Sequence, residues 1–155
     1  MAVSPRVAML SVEEARAAAA EVGVPAQLAE LNFFRLLLRR PATAKAASDL
    51  LLSLLAGSAL AHRHRELAIM RVGWLTGSAY EWTQHWRIAG QFGLPEADVL
   101  ATRDWRQHAA FDASDRAVLG AVDEVVESGV ARAETWAACT SLLGPDATIE
   151  LAMAI

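Results

Sequence analysis

The chain has 155 residues, 54% of them apolar and 21% charged, and this length favours one compact domain with a hydrophobic core. Eighteen acidic against fourteen basic residues give a formal charge of −4. This argues against a nucleic-acid-binding protein, because such proteins usually carry a basic surplus. Cys139 is the only cysteine, so an internal disulfide and any mechanism that needs two thiols in one chain are excluded.

The sequence predicts no membrane segment. Its most apolar stretch, residues 50–61, is about 12 residues long, which is shorter than the roughly 20 residues of a membrane-spanning helix. The N-terminal residues also lack the pattern of a signal peptide. Together with the single cysteine, these features predict a cytoplasmic protein with no membrane partner and no nucleic-acid partner.

Almost every segment is typical of a helix, because Ala, Leu, Glu and Arg dominate and β-branched runs are nearly absent. The sequence therefore predicts an all-α protein with a single domain over residues 1–155. Its N-terminal part, residues 11–56, is expected to contain three helices. These run from the capping box at Ser11 to Gly23, from Pro25 to Pro41, and over residues 43–56.

The middle of the chain, residues 62–93, predicts one helix over residues 62–75 and another from Ser78 to near Gly93. Because only about two residues join them, we expect an antiparallel helical hairpin. The C-terminal part, residues 95–155, is expected to contain the remaining elements. These are a short helix from Pro95, a loop or turn over residues 102–113, a helix from a cap at Ser114 or Asp115 to Gly129, a helix over residues 133–143, and a last helix after Asp146.

The predicted hairpin carries three candidate acid–base residues, Glu66, Glu81 and His85. Glu81 and His85 are four residues apart and therefore share one face of their helix. Glu66 lies on the other helix, about one helical turn from the level of His85. If the two faces meet, these side chains form one cluster in which a histidine that titrates near neutral pH can exchange a proton. Spacing alone does not decide whether they meet.

Each of these residues also has a structural interpretation. Glu81 is a candidate for completing a capping box with Ser78, and Glu66 is a candidate for an ordinary helix ion pair with a nearby arginine. His85 is a candidate core histidine, since Trp82 and Trp86 form a helical stripe of the kind usually buried in a core.

A metal site is a further alternative, with His62, His64 and His85 as ligands beside the glutamates. His62 and His64 are two residues apart on a helix and point in different directions, which argues against this site. No metal is therefore predicted.

The same residues resemble the carboxymuconolactone decarboxylase family, which includes the AhpD-like alkylhydroperoxidases. The resemblance covers about residues 28–155. It depends on the segments Arg65–Leu67, Tyr80–His85 (YEWTQH) and Gly93–Leu94, with an upstream helix over residues 32–41. It implies an AhpD-like helical bundle with a central antiparallel hairpin. It also implies a homo-oligomer (dimer, trimer or hexamer), often with a pocket near the subunit boundary, and the apolar excess of this chain favours assembly as well.

The family has a peroxidase branch and a decarboxylase branch. The CxxC cysteines of the peroxidases align with Ser78 and Glu81, so the chain is not expected to be a thiol peroxidase. The decarboxylases keep a glutamate four residues before the histidine, as this chain does. That branch removes a carboxylate from an unsaturated lactone without a cofactor. The resemblance implies His85 as proton donor or relay, Glu81 as its orienting partner, and Glu66 as a second relay or substrate positioner.

The predicted function is therefore a cofactor-free acid–base enzyme, a decarboxylase-like lyase, that acts on a small carboxylated or lactone substrate. Glu66, Glu81 and His85 are the catalytic candidates. Aromatic side chains of the same helix are the substrate-binding candidates: Tyr80, Trp82 and Trp86. The alternative is a non-catalytic helical oligomer that binds a small hydrophobic ligand.

Overall fold

A computed structural model describes residues 6–155. Within these residues the chain forms ten α-helices, one short 3-10 helix and no strand, so the predicted all-α class is confirmed. The α-helices are α1 (Val12–Val22), α2 (Ala26–Ala29), α3 (Asn32–Leu37), α4 (Pro41–Leu55), α5 (His62–Thr76), α6 (Ala79–Gln91), α7 (Glu96–Ala101), α8 (Ala113–Ser128), α9 (Ala133–Leu143) and α10 (Pro145–Ala154). The 3-10 helix covers Trp105–Gln107.

The helices form two compact units that divide between Gly57 and Ser58. In the N-terminal unit, α1 packs against α2, α3 and α4 around a core that includes Phe34 and Leu38. In the C-terminal unit, α5 is central and packs against α6, α7, α8 and α10. The single domain predicted over residues 1–155 stays a prediction.

The predicted helix between Pro25 and Pro41 is wrong, because the structure divides it into α2 and α3. Leu31 adopts an extended backbone between them (φ −71°, ψ 136°), and this break precedes the turn that buries Phe34 and Leu38. The sequence predicts that Pro41 ends this helix, but Pro41 is the first residue of α4. A proline is well suited to that position because the first N–H groups of a helix have no partner within it.

The predicted cap of α8 is also wrong. Asp112 caps this helix, since its Oδ1 accepts from the Asp115 N–H at 2.9 Å while Asp115 Oδ2 accepts from the Asp112 N–H at 3.4 Å. The two aspartates thus form a reciprocal capping box. The last helix begins two residues earlier than predicted, at Pro145, which again takes the first helical position.

The predicted antiparallel hairpin is present as α5 and α6. Gly77 ends α5 with φ 69°, a left-handed conformation that glycine adopts at little cost. One turn earlier, a Cβ on Gly73 would lie 3.4 Å from the Trp82 backbone nitrogen and 3.5 Å from Glu81 Cβ. Glycine at this position therefore lets the two helices approach closely near the turn.

Central α5 is buried on several sides, with Leu67, Ala68 and Met70 fully enclosed. Each of these three residues belongs to a different hydrophobic cluster, so α5 contributes to three clusters on different sides. Over residues 6–155, none of the helices has both the length and the apolar character needed to span a bilayer. The cytoplasmic location stays a prediction.

Candidate active site

The hairpin brings Glu66 of α5 against His85 of α6. Oε2 of Glu66 lies 2.7 Å from Nδ1 of His85, although 19 residues separate them in the sequence. The Glu66 side chain is only 1% exposed, whereas that of His85 is 20% exposed. The faces of the two helices therefore meet, which spacing alone had left open.

Among the arginines near Glu66 in the sequence, two have other carboxylate partners. Arg63 contacts Asp98 and Asp115, each at 2.7 Å, and Arg71 contacts Asp123 at 2.6 Å. The third, Arg65, is buried beside Glu66, with Nε 3.7 Å from Oε1. Glu66 is therefore not part of an ordinary surface ion pair, because its carboxylate lies between a buried guanidinium and an imidazole.

Glu81 does not complete the capping box that the sequence allows. Ser78 Oγ accepts from the Glu81 N–H at 3.3 Å, but the Ser78 N–H donates to the Gly73 carbonyl at 2.9 Å. The Glu81 side chain instead extends along α6, where Oε2 lies 3.7 Å from Nε2 of His85. Its side chain is 43% exposed, so the row of acid–base groups runs from the buried Glu66 to the surface.

This arrangement assigns a tautomer to neutral His85. A carboxylate only accepts hydrogen bonds, so the proton facing Glu66 belongs to Nδ1. Nε2 is then left on the outer side of the ring, next to Glu81. The distance of 3.7 Å between Nε2 and Glu81 exceeds a hydrogen bond, so both groups retain capacity to contact a third molecule.

The tryptophans of α6 line a separate open groove of about 460 Å³. We use the name aromatic groove for this space. It is lined by Trp74, Trp82, Trp86, Leu100 and Arg103, with small residues of the hairpin turn at one end. Trp82 and Trp86, both predicted to bind substrate, are among its walls. Tyr80, the third such residue, is not among the described residues that line it, and neither are the acid–base residues.

Leu100 and Arg103 line the groove but are not among the site residues that the sequence predicts. Arg103 lies in the segment predicted as a loop, and no local motif distinguished it from the other twelve arginines of the chain. Its position becomes apparent only in the structure, where the guanidinium carbon lies 5.7 Å from the centroid of the Trp74 ring.

A second cluster of charges connects α5 to α7 and α8. Arg63 is its centre and contacts Asp98 and Asp115, whose side chains are 9% and 2% exposed. Burial raises the pKa of Asp98, but hydrogen bonds from His108 and Arg63 outweigh it, and the net pKa is below the ordinary value. Since these groups satisfy one another, the cluster acts as a structural anchor for the helix that carries Glu66.

The histidines considered as metal ligands face different neighbours. His62 stacks on Phe92 with ring centroids 3.9 Å apart and hydrogen-bonds to Arg65, whereas His64 Nε2 lies 3.0 Å from Ser114 Oγ. Over residues 6–155 no group of three or more His, Cys, Asp or Glu side chains is arranged to hold a metal ion.

The fold and the site together define an all-α protein whose central helical hairpin sets a buried glutamate against a histidine. The sequence model of the carboxymuconolactone decarboxylase family matches residues 41–124, which include the whole hairpin. The chain belongs to this family, as its sequence motifs predicted. Comparisons with curated proteins and with solved structures gave no match.

Proposed function

We propose that the protein is a cofactor-free acid–base enzyme of the carboxymuconolactone decarboxylase type, which decarboxylates or protonates a small carboxylated or lactone substrate. The observation that carries this proposal is the 2.7 Å contact between Glu66 and His85, with Nε2 of the ring left on the outer side beside Glu81. A histidine held from one side by a buried carboxylate is well placed to transfer protons on its other side.

In the proposed reaction, the bond between the substrate and its carboxylate breaks and carbon dioxide leaves. The electron pair of that bond moves into a conjugated carbonyl, and a proton then returns to carbon. His85, in its imidazolium form, donates that proton from Nε2. Glu66 orients the ring and balances the charge of the imidazolium, while the partly exposed Glu81 relays a proton from water to Nε2 after turnover. Glu66 thereby takes the orienting role that the family resemblance had implied for Glu81.

These residues do not support the mechanism of a thiol peroxidase, which needs a pair of cysteines. Ser78 caps α6 and Glu81 lies beside His85, so the positions aligned with the family's cysteine pair carry other side chains. Cys139 is buried in α9, with Sγ 3.5 Å from the Ala117 carbonyl. Burial also raises the pKa of this thiol, which lowers its reactivity.

We further propose that the active form is a homo-oligomer, a dimer, trimer or hexamer. Large apolar side chains of α9 and α10 are exposed: Trp136 (43%), Leu142 (48%), Ile149 (60%) and Met153 (53%). Apolar surface of this kind is typical of an interface. Sedimentation that shows a monomer at micromolar concentration would contradict this part of the proposal.

The second candidate is a non-catalytic oligomer that binds a small hydrophobic ligand. The aromatic groove favours it, because a space of about 460 Å³ with three indole walls is suited to such a ligand whether or not a reaction follows. The two functions differ in one outcome, which is whether the bound compound changes chemically.

The test uses carboxymuconolactone and related unsaturated lactone carboxylates as substrates, with carbon dioxide release as the readout. In deuterium oxide the product should gain one deuterium at the protonated carbon. His85→Ala should abolish turnover with unchanged helical content, whereas the exposed Arg87→Ala should retain it. Undiminished turnover in His85→Ala would rule out the mechanism, and tight binding without chemical change would favour the second candidate.

A further inference from the structure

We propose that the aromatic groove binds a flat, mainly apolar monoanion, with Arg103 holding the anionic group. This inference rests on the proposed function only in naming such monoanions, among the related unsaturated lactone carboxylates, as substrates of the enzyme, because the binding itself needs no reaction. It adds a specificity-determining residue, Arg103, that lies outside the acid–base cluster.

The walls of the groove favour a flat ligand. The rings of Trp74 and Trp82 lie 5.7 Å apart between centroids, and those of Trp82 and Trp86 lie 6.3 Å apart with planes inclined by only 33°. Three indoles thus form a continuous row, and Leu100 adds an aliphatic side. Planar rings pack against such a surface at low entropic cost, since neither partner has many torsions to fix.

One end of the row is open to a ligand. Trp74 is 48% exposed, whereas Trp82 and Trp86 are half-buried against the core that contains Met70. The volume of about 460 Å³ lies within the range of small-molecule sites, roughly 300–1,000 Å³.

Arg103 gives the groove its charge preference. It is the only charged side chain among the described residues that line the groove. Its Nε donates to the Leu100 carbonyl at 3.1 Å, and its guanidinium lies against Trp74. Because Arg103 forms no ion pair with a carboxylate within residues 6–155, both terminal nitrogens remain available to a carboxylate in a forked contact.

The groove is next to the acid–base cluster on α6. Trp82 and Trp86 directly follow Glu81 and His85 in the sequence, so the aromatic row lies on the neighbouring face of the same helix. A substrate whose ring lies in the groove would therefore be held close to the helix that carries the proposed proton donor.

The test measures binding of 2-naphthoate by the indole N–H signals of a ¹⁵N-labelled full chain. The probe should shift the signals of Trp74, Trp82 and Trp86 and leave those of Trp105 and Trp136 in place. Arg103→Gln should raise the Kd for 2-naphthoate about tenfold, as expected for loss of one charge-assisted contact. The matched control Arg87→Gln removes an exposed arginine of α6 and should leave the Kd unchanged.

Two further ligands separate charge from shape. Neutral 2-naphthamide should bind wild type and Arg103→Gln equally weakly, and cyclohexanecarboxylate should bind more weakly than 2-naphthoate. Unshifted groove signals at millimolar probe, or an Arg103→Gln variant with the wild-type Kd, would overturn the proposal. Binding that emerges only on dilution to monomers would also overturn it, because a second copy of the chain would then be the occupant.

Failure of the groove proposal can be distinguished from failure of the catalytic proposal. His85→Ala should bind 2-naphthoate with the wild-type Kd, because the histidine does not line the groove. If the groove binds the probe but His85→Ala retains full turnover, the catalytic proposal fails and the binding site stands. If His85→Ala loses turnover but the groove signals never shift, the catalytic proposal stands and the groove proposal fails.

Discussion

Glu66 and His85 make the decisive contact in this protein, with 2.7 Å between Oε2 and Nδ1. The carboxylate is buried on α5 and the imidazole is partly exposed on α6, so the hairpin holds the ring from its inner side. This contact leaves Nε2 on the outer side of the ring, beside Glu81. It also predicts which ring nitrogen carries the proton, and that can be measured.

The first prediction concerns the tautomer of His85. In the neutral ring the proton should be on Nδ1, because the facing carboxylate of Glu66 can only accept. ¹⁵N shifts of the imidazole ring measure this directly. Glu66→Leu removes the acceptor and should lower the fraction of the Nδ1–H tautomer, provided that circular dichroism shows an intact fold. A wild-type ring protonated on Nε2 alone would contradict the assigned geometry.

The second prediction concerns Arg63 and the anchor between α5, α7 and α8. Arg63→Ala leaves the buried carboxylates of Asp98 and Asp115 without their guanidinium partner, which should lower the free energy of unfolding by about 3 kcal/mol. Urea unfolding measures the difference. The exposed Arg87→Ala is the matched control and should change stability by no more than about 0.5 kcal/mol. Equal stability of the two variants would show that the cluster is not an anchor.

The third prediction concerns pH and His64. Burial lowers the pKa of His64 below its ordinary value of 6.5, although Asp115 opposes the shift. Below about pH 6.5 the unfolded chain therefore binds more protons at this residue than the folded chain does. The free energy of unfolding should fall as the pH falls through this window, by at most about 1.4 kcal/mol per pH unit from this group.

The matching variant is His64→Gln, which cannot take up that proton. Urea unfolding at pH 7.5 and 5.5 should show a smaller loss of stability in the variant than in the wild type. Identical losses in both proteins would mean that His64 does not contribute to the pH dependence.

The fourth prediction concerns two glycines with opposite expected effects. Gly77→Ala places a Cβ on a residue with φ 69° and should cost about 1 kcal/mol of stability. Gly120 lies inside α8, where an added Cβ meets nothing within 4 Å. Gly120→Ala should therefore stabilise the protein, by about 0.5–1 kcal/mol. Thermal unfolding compares the two, and a gain in Gly77→Ala would contradict the left-handed turn.

The fifth prediction concerns Cys139. Its thiol is buried and its pKa is raised, chiefly by burial, so a disulfide reagent such as DTNB should react slowly with the native protein and rapidly in urea. Absorbance at the wavelength of the released thiolate follows both reactions. Rapid modification of the native protein would show that the thiol is accessible.

Much of the fold was predictable because local signals are strong in this chain. The capping box at Ser11 and the glycines at positions 23, 77 and 129 predicted the ends of helices that the structure contains. Local signals were misleading where two interpretations competed. Pro41 predicts the end of a helix by its local pattern, although a proline is equally suited to open the next one, as it does here.

The sequence by itself determined the all-α class, the hairpin of α5 and α6, and the lack of a cysteine pair at Ser78 and Glu81. Helical periodicity and turn residues are properties of short segments, so they can be read without knowing the rest of the chain. Only the tertiary structure decided that Glu66 faces His85, that Glu81 leaves its capping box, and that Arg103 lines the aromatic groove. These features depend on how helices are rotated against one another, and that rotation is set by packing over the whole unit.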